Sequence, residues 1–515
     1  MPHAARISSA TLLRKPSRPP EPSATRRTFL KLGAAAAAFV AVSSRFHRSA
    51  WAGAPVGKRV APADPVYHLL NRISYGVTPA ELALAQKMGL NAYLEQQLNP
   101  AKIRETTLKG KIGKLKVWSM SYAQLYQRAD WELSYRGLIE GAVARAVYAK
   151  AQLYERVCEF WTDHFNVSGD DFPADTVDYV NALRRHAFGR FRDLLGASAK
   201  HPAMLFYLDN ASNIAAHPNE NYARELMELH TLGVDGGYTE QDVKEVARAF
   251  TGWSVDWGRG FGFYEWDHDF GAKQILGVAF PAGRGIEDGE QVLDMLANHP
   301  STRRFVCRKL CRRFVSDAPP ESLVTRMSDV WAATGGQIVP VLRELFLSAE
   351  FGASAGQKLR RPFDWYAAAL RTTGAEVKEF WWQHYMLAQL AQVPHGWHPP
   401  NGYPDVARAW ANTGGLLARW NEAFVLTDGA LTWRDRNLIS GLKKKAGRFK
   451  TAGQMVERLG LAIFGSMLSP EQAAPYVAFA SDGAGAGALL DKDAVASKLG
   501  TTAGLMLCSP LFMWR

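Results

Sequence analysis

Twelve residues, Asn219-Glu-Asn-Tyr-Ala-Arg-Glu-Leu-Met-Glu-Leu-His230, hold three carboxylates, a guanidinium and an imidazole on a stretch that otherwise reads as helix. Side chains of that kind either face water or converge on a site. Converging carboxylates can be tuned apart, so that one accepts a proton while its neighbour keeps one. Glu225 and Glu228 stand three apart and Arg224 and Glu228 four apart, so each pair shares a helix face. Tyr222, Leu226, Leu229 and Leu232 form the opposing apolar stripe. The helix expected next, 239–251, carries Asp242, Glu245 and Arg248 on one face, and the Gly236-Gly237 turn would fold Arg248 back toward Glu225 or Glu228. Two readings stay open: an ion-pair lattice that fixes two helices in register, and a proton-transfer site. Metal binding by this segment is disfavoured, because Glu228 and His230 lie about 200° apart around a helix and the Glu-x-x-His spacing of helical di-metal sites is absent.

Two further segments bring titratable groups. Phe160-Trp-Thr-Asp-His-Phe165 reads as a helix end carrying Asp163 and His164, the latter either a second proton carrier or a hydrogen-bonded core group. Asp267-His268-Asp269 and Lys273 lie in a stretch without helical period; neighbours on a strand face opposite ways, so an acid beside His268 is a weak pairing signal. The proton-transfer reading gives chemistry to Glu225, Glu228, Arg224, Arg248, His164 and His268. It gives substrate contact to Asn219, Asn221, Trp253, Asp269, Lys273 and Trp397. No phosphate-binding Walker loop or His-Glu-x-x-His motif occurs, and the sequence names no cofactor.

The elements that must position these groups read as helices. Helical patterns cover 66–73, 78–85, 142–165, 175–188, 219–232, 239–251, 286–298, 302–315, 322–333, 338–348, 362–373, 406–426 and 452–459, separated by turns rich in Gly, Pro, Asp or Asn. Thr78 before Pro79 is a natural cap. The glycine- and aromatic-rich 258–277 predicts an extended or hairpin excursion. Val393-Pro-His-Gly-Trp-His-Pro-Pro-Asn-Gly-Tyr-Pro-Asp405 predicts a rigid loop. The expected fold class is therefore all-α, a large multi-helix body with one small excursion.

The N-terminus supplies an address. Thr25-Arg-Arg-Thr-Phe-Leu-Lys31 precedes the alanine-rich run 33–42, and Ala50-Trp-Ala52 fits a small-residue cleavage site. That is the pattern of a twin-arginine signal over residues 1–52, followed by a single helical domain at 53–515 in the periplasm or outside the cell. The apolar run is too short to span ~30 Å of hydrocarbon, and no later segment approaches a spanning helix. Removing residues 1–52 takes away nine of 61 cations and one of 49 acids, and the net charge falls from +12 to +4. The mature chain thus has no electrostatic case for nucleic acid. Hydrophobic content of 47% is ample for a core. Cys307 and Cys311, four apart on one helix, read as buried thiols rather than a disulfide. Most of the sixteen tryptophans should be core, although Trp381, Trp382, Trp397, Trp410 and Trp420 could line a groove for a ring-shaped or polymeric ligand.

These motifs resemble a bacterial family known as domain of unknown function 1800. The resemblance runs through Leu69-Leu-Asn-Arg-Ile-Ser-Tyr-Gly76, Phe160–Phe165, Asn219–Leu226, Gly237–Val243, Ala247–Trp253, His268-Asp269, Lys273, His299-Pro-Ser-Thr302, Lys309-Leu310, Pro394–Tyr403 and Cys508–Phe512. It implies an exported, mostly helical protein that commonly accompanies a second exported protein of a phosphatase- or sulfatase-like superfamily. It implies no activity. Where such sequences usually have Gly-Trp, this one has Gly402-Tyr403, so a pocket built by that loop is expected to differ in shape. The functional expectation is a hydrolase or lyase acting on a polymeric or glycan-like substrate. The alternative is a non-catalytic exported assembly or partner-binding protein whose polar motif is structural.

Overall fold

The computed structural model describes residues 64–515 apart from 129, 257, 377, 379 and 428–437, so the twin-arginine segment lies outside the described residues. Helices succeed one another from Pro65–Ile73 to Pro510–Met513, accompanied by two small antiparallel hairpins. The described residues fall within one compact unit. Among the described residues, no helix is long and apolar enough to cross a membrane.

Local chemistry sets the helix starts. Thr78 caps Pro79–Met88 with proline in the first turn, where a missing N–H costs nothing. Thr239 and Asp242 close a reciprocal capping box on Glu240–Ala249. Tertiary contacts set several ends that the sequence pattern runs through. The single helix expected over 142–165 is two, Trp131–Tyr148 and Gln152–His164. The backbone freed at the break is taken up by side chains from afar: Glu105 accepts from the Lys150 and Ala151 amides, and Arg371 donates to the Val147 carbonyl. The helix expected over 406–426 is likewise broken, into Ala407–Trp410 and Thr413–Thr427. The predicted excursion is wider than 258–277 and is two hairpins. In one, β1 (Trp253–Asp256) pairs with β2 (Gly260–Phe263). In the other, β3 (Lys273–Ile275) pairs with β4 (Val278–Phe280).

The interior is apolar around a charged centre. Trp161, Trp253, Trp331 and Trp365 are fully buried, and all four cysteines are buried and free. Asp364, also fully buried, pairs with Arg156 and with Arg515 at 2.6 Å. Arg361 binds Glu159 at 2.5 Å and Asp163 at 2.6 Å, and Arg313 binds Glu159 as well. Arg72 spends its guanidinium on the carbonyls of Phe314, Val315, Ser354 and Arg515, all at 2.7–2.8 Å. Planar five-donor forks suit such buried, multiply bonded positions. This cluster ties the first described helix to the last residues and holds Gln152–His164 against Pro362–Thr373.

Candidate functional site

The polar motif begins as α-helix, Asn221–Glu225, and widens to a π-helix over Leu226–Thr231. The wider turn is marked by the Leu232 amide bonding to the Met227 carbonyl at 2.8 Å and by the Thr231 hydroxyl bonding to the Leu226 carbonyl at 2.6 Å. Such stretches occur frequently at functional sites.

The motif's side chains do not gather at one point. Arg224 bonds Glu220 at 3.0 Å and Glu240 at 2.7 Å rather than Glu228. Arg248 bonds Asp269 and Glu245, each at 2.7 Å, rather than Glu225 or Glu228, because Glu245 one turn back and the loop after β2 reach it first. Glu225 is half-buried; burial, and then Glu228, raise its pKa. The Asn219 amide donates to Asn213, and the Asn221 side chain donates to Asp209. Trp253 is fully buried between Phe250 and Phe261, with Gly289 leaving room against its indole, so it is a core residue. His268 and Lys273 are buried under the hairpins. The His268 Nδ1–H donates to the Thr251 carbonyl at 2.7 Å, and Lys273 binds Asp288 at 2.8 Å. Arg224, Arg248 and Lys273 are thus satisfied within ion-pair networks, while the buried His268 Nε2 has no hydrogen-bond partner among the described residues.

His164 lies elsewhere, at a cleft. Its Nε2 is 3.0 Å from the His230 carbonyl oxygen, which can only accept, so Nε2 carries the proton. The Nδ1 lone pair therefore faces the Lys309 Nζ at 2.8 Å. Phe160, Phe165, Phe191 and Phe305 surround the imidazole. Burial, and then the Lys309 charge, hold His164 well below the usual histidine range. Burial also pushes the Lys309 amine down to about 8, against the pull of Asp163. Among the described residues, no carboxylate lies within 4 Å of Lys309, and none lies within 4 Å of Arg312 or Arg408. All three cations line one cleft of about 580 Å³, together with Asp163, Trp397, Tyr403 and Asp405. Neither Glu225 nor Glu228 lines it.

The far wall is the rigid 393–405 loop, and it is pinned at several points. The Asn166 amide donates to the Trp397 and Pro399 carbonyls, both at 2.8 Å. The Gly169 amide donates to the His395 carbonyl at 2.7 Å, and the Tyr403 hydroxyl donates to the Val393 carbonyl at 2.8 Å. Gly402 has φ +69°, and a Cβ there would stand 2.0 Å from the Asp163 carbonyl oxygen. Only glycine lets the loop meet the His164 helix end this closely. Burial alone would raise Asp405, but Lys358 and Arg313 hold it well below the usual carboxylate range.

A family model described as Protein of unknown function (DUF1800) matches residues 68–514. The chain belongs to the DUF1800 family. No curated protein and no solved structure matches it. The whole cleft, from His164 through Lys309 to the 393–405 loop, falls within the DUF1800 match.

Of the residues singled out from sequence, His164 and Trp397 meet at the cleft; the others divide among the motif surface and the hairpin networks. The cluster of five tryptophans does not form one groove: Trp410 is buried, Trp397 is at the cleft, and Trp381 is exposed. Lys309 enters the sequence reading only through the family resemblance, and Arg312 and Arg408 do not enter it at all. Helix Pro300–Phe314 carries Arg303, Arg304, Arg308, Arg312 and Arg313 beside Lys309, and nothing in their spacing distinguishes the one that meets His164. Among the described residues, no group of three or more His, Cys, Asp or Glu could hold a metal ion.

Proposed function

We propose that this DUF1800 protein leaves the cytoplasm by the twin-arginine route and acts as a lyase on an anionic, glycan-like polymer. The observation that carries this reading is the Lys309–His164 pair: a lysine that, among the described residues, has no carboxylate partner, lowered to about 8, oriented by a neutral imidazole and opening on a cleft shared with Arg312 and Arg408. A lysine in that state can serve as a general base. Arg312 and Arg408 would bind the carboxylate of an acidic sugar, and Trp397 and Tyr403, 4.9 Å apart, would face its ring. The Lys309 amine takes the proton α to that carboxylate. The C–O bond at the β position breaks, a carbon–carbon double bond forms, and the leaving oxygen takes a proton from solvent.

The test uses protein from its native compartment, incubated with uronate-containing and with neutral polysaccharides. The expected result is ultraviolet absorbance from a conjugated double bond, with uronate-containing polymers only. New reducing ends without that absorbance would replace elimination by hydrolysis, and intact polymers throughout would remove the enzyme reading. Export is checked separately: Arg26→Lys with Arg27→Lys should leave unprocessed precursor in the cytoplasm, and continued export would exclude the twin-arginine route.

One set of observations favours a structural role for the motif itself. Arg224 with Glu220 and Glu240, and Arg248 with Glu245 and Asp269, are paired within the chain. We assign the Arg224–Glu240 pair to register between helices and the Arg248–Asp269 pair to holding the loop after β2 against its helix. A second exported protein would dock outside the cleft.

A further inference from the structure

Large aromatic side chains are normally buried, and an exposed contiguous set marks a contact surface. Trp131 and Tyr135 stand one turn apart on helix Trp131–Tyr148, with ring centroids 4.6 Å apart and stacked. The Tyr135 ring meets His384 at 5.6 Å, and its hydroxyl lies 3.0 Å from the His384 Nε2. His384 in turn meets Trp381 at 5.9 Å. Trp131 is 49% and Trp381 41% exposed. At the other end, the Trp131 indole N–H donates to the Asp170 carbonyl at 3.1 Å, and the Asp170 carboxylate lies 3.4 Å from His398, the neighbour of cleft residue Trp397. Trp381, His384, the buried Tyr135 and Trp131 are therefore linked ring to ring, and the Asp170–His398 contact joins Trp131 to the cleft wall.

Its composition selects the occupant. Each exposed ring alternates with a hydrogen-bonding group, His384 or the Asp170–His398 pair, instead of merging into an aliphatic patch of the kind a protein partner would bury. Flat rings with polar rims match the apolar faces and hydroxyl edges of sugar rings. The carboxylates of Asp170 and Asp171 beside His398 disfavour another acid there, whereas the cleft has Lys309, Arg312 and Arg408. We infer that the strip from Trp381 through Trp131 is a run of subsites for the neutral rings of a mixed polysaccharide whose acidic ring sits at the cleft. This rests on the glycan reading above for the identity of the chain.

The test measures binding of size-graded oligosaccharides that join one reducing-end uronic acid to a lengthening run of neutral N-acetylated amino sugars, from the disaccharide upward, to the mature protein. Affinity should rise with length once the cleft is filled. Trp131→Ala and Trp381→Ala should each lower affinity for the long oligomers roughly three- to tenfold and leave the disaccharide unchanged, while Trp131→Phe keeps most of the gain. Equal loss for short and long oligomers, or an unchanged length dependence in both alanine variants, would overturn the strip. So would wild-type affinity that does not grow with length. Lys309→Met separates the two proposals: it should abolish turnover while the length dependence persists, and loss of length dependence in that variant would also overturn the strip.

Discussion

Lys309→Met should lower turnover a hundred- to ten-thousandfold, the range for loss of a positioned general base, while the protein melts at an equal or higher temperature. Both halves follow from one fact. In the folded chain the amine titrates near 8 instead of its ordinary 10.5 because burial disfavours its charge. The reactive form is the free amine, so the wild-type rate should climb as pH passes through 8 and level off above it. The unfolded chain holds more protons than the folded one between about 8 and 10.5, so wild-type stability should rise with pH across that window. The burial penalty is fully present below pH 8. Methionine fills the same space without charge, removes the penalty and flattens that slope. Melting temperature and turnover measured against pH read both effects. A variant that keeps activity, or that loses activity only because it unfolds, would show Lys309 to be a structural residue.

Asp364→Ala should have the largest effect on stability. Asp364 is fully buried, and although burial alone would raise its pKa, Arg156, Arg515 and Arg313 hold it well below the usual range. Removing it strands at least two buried guanidinium groups, at a cost of about 3–5 kcal/mol, a large part of the total stability of most proteins. The expected readout is a large drop in denaturant midpoint, or precursor that fails to fold and so fails to leave by a route that moves folded proteins. The sign of the pH effect is fixed as well. A depressed carboxylate stabilises above its unfolded pKa of about 3.9 and loses that contribution as pH falls below it. An Asp364→Ala protein with wild-type midpoint would mean that the charged centre adds nothing to folding.

The sequence was most readable where chemistry is local. The cap at Thr78, the glycine-rich strands and the periodic helices follow from neighbours within a turn. The break at Ala149–Ala151 was hidden because the groups that stabilise it, Glu105 and Arg371, come from more than forty residues away on either side. The site was half readable. His164 and Trp397 stood out as residue types in polar surroundings, but Lys309 is one basic residue among many on its helix. Its role comes from an imidazole 145 positions earlier in the chain. The dense motif drew attention for its charges, yet its contribution to the cleft is a backbone atom, the His230 carbonyl oxygen.

That carbonyl has a consequence for variation. The last turn of a helix has oxygens with no amide of its own to meet, and this one fixes which nitrogen of His164 holds hydrogen. Because the acceptor is main chain, any amino acid at position 230 supplies it. The acceptor that orients the base is thereby independent of the side chain there, which packs against Phe165 instead, while loss or gain of one residue in the preceding wide turn would swing the oxygen away and silence the amine with every cleft side chain still present.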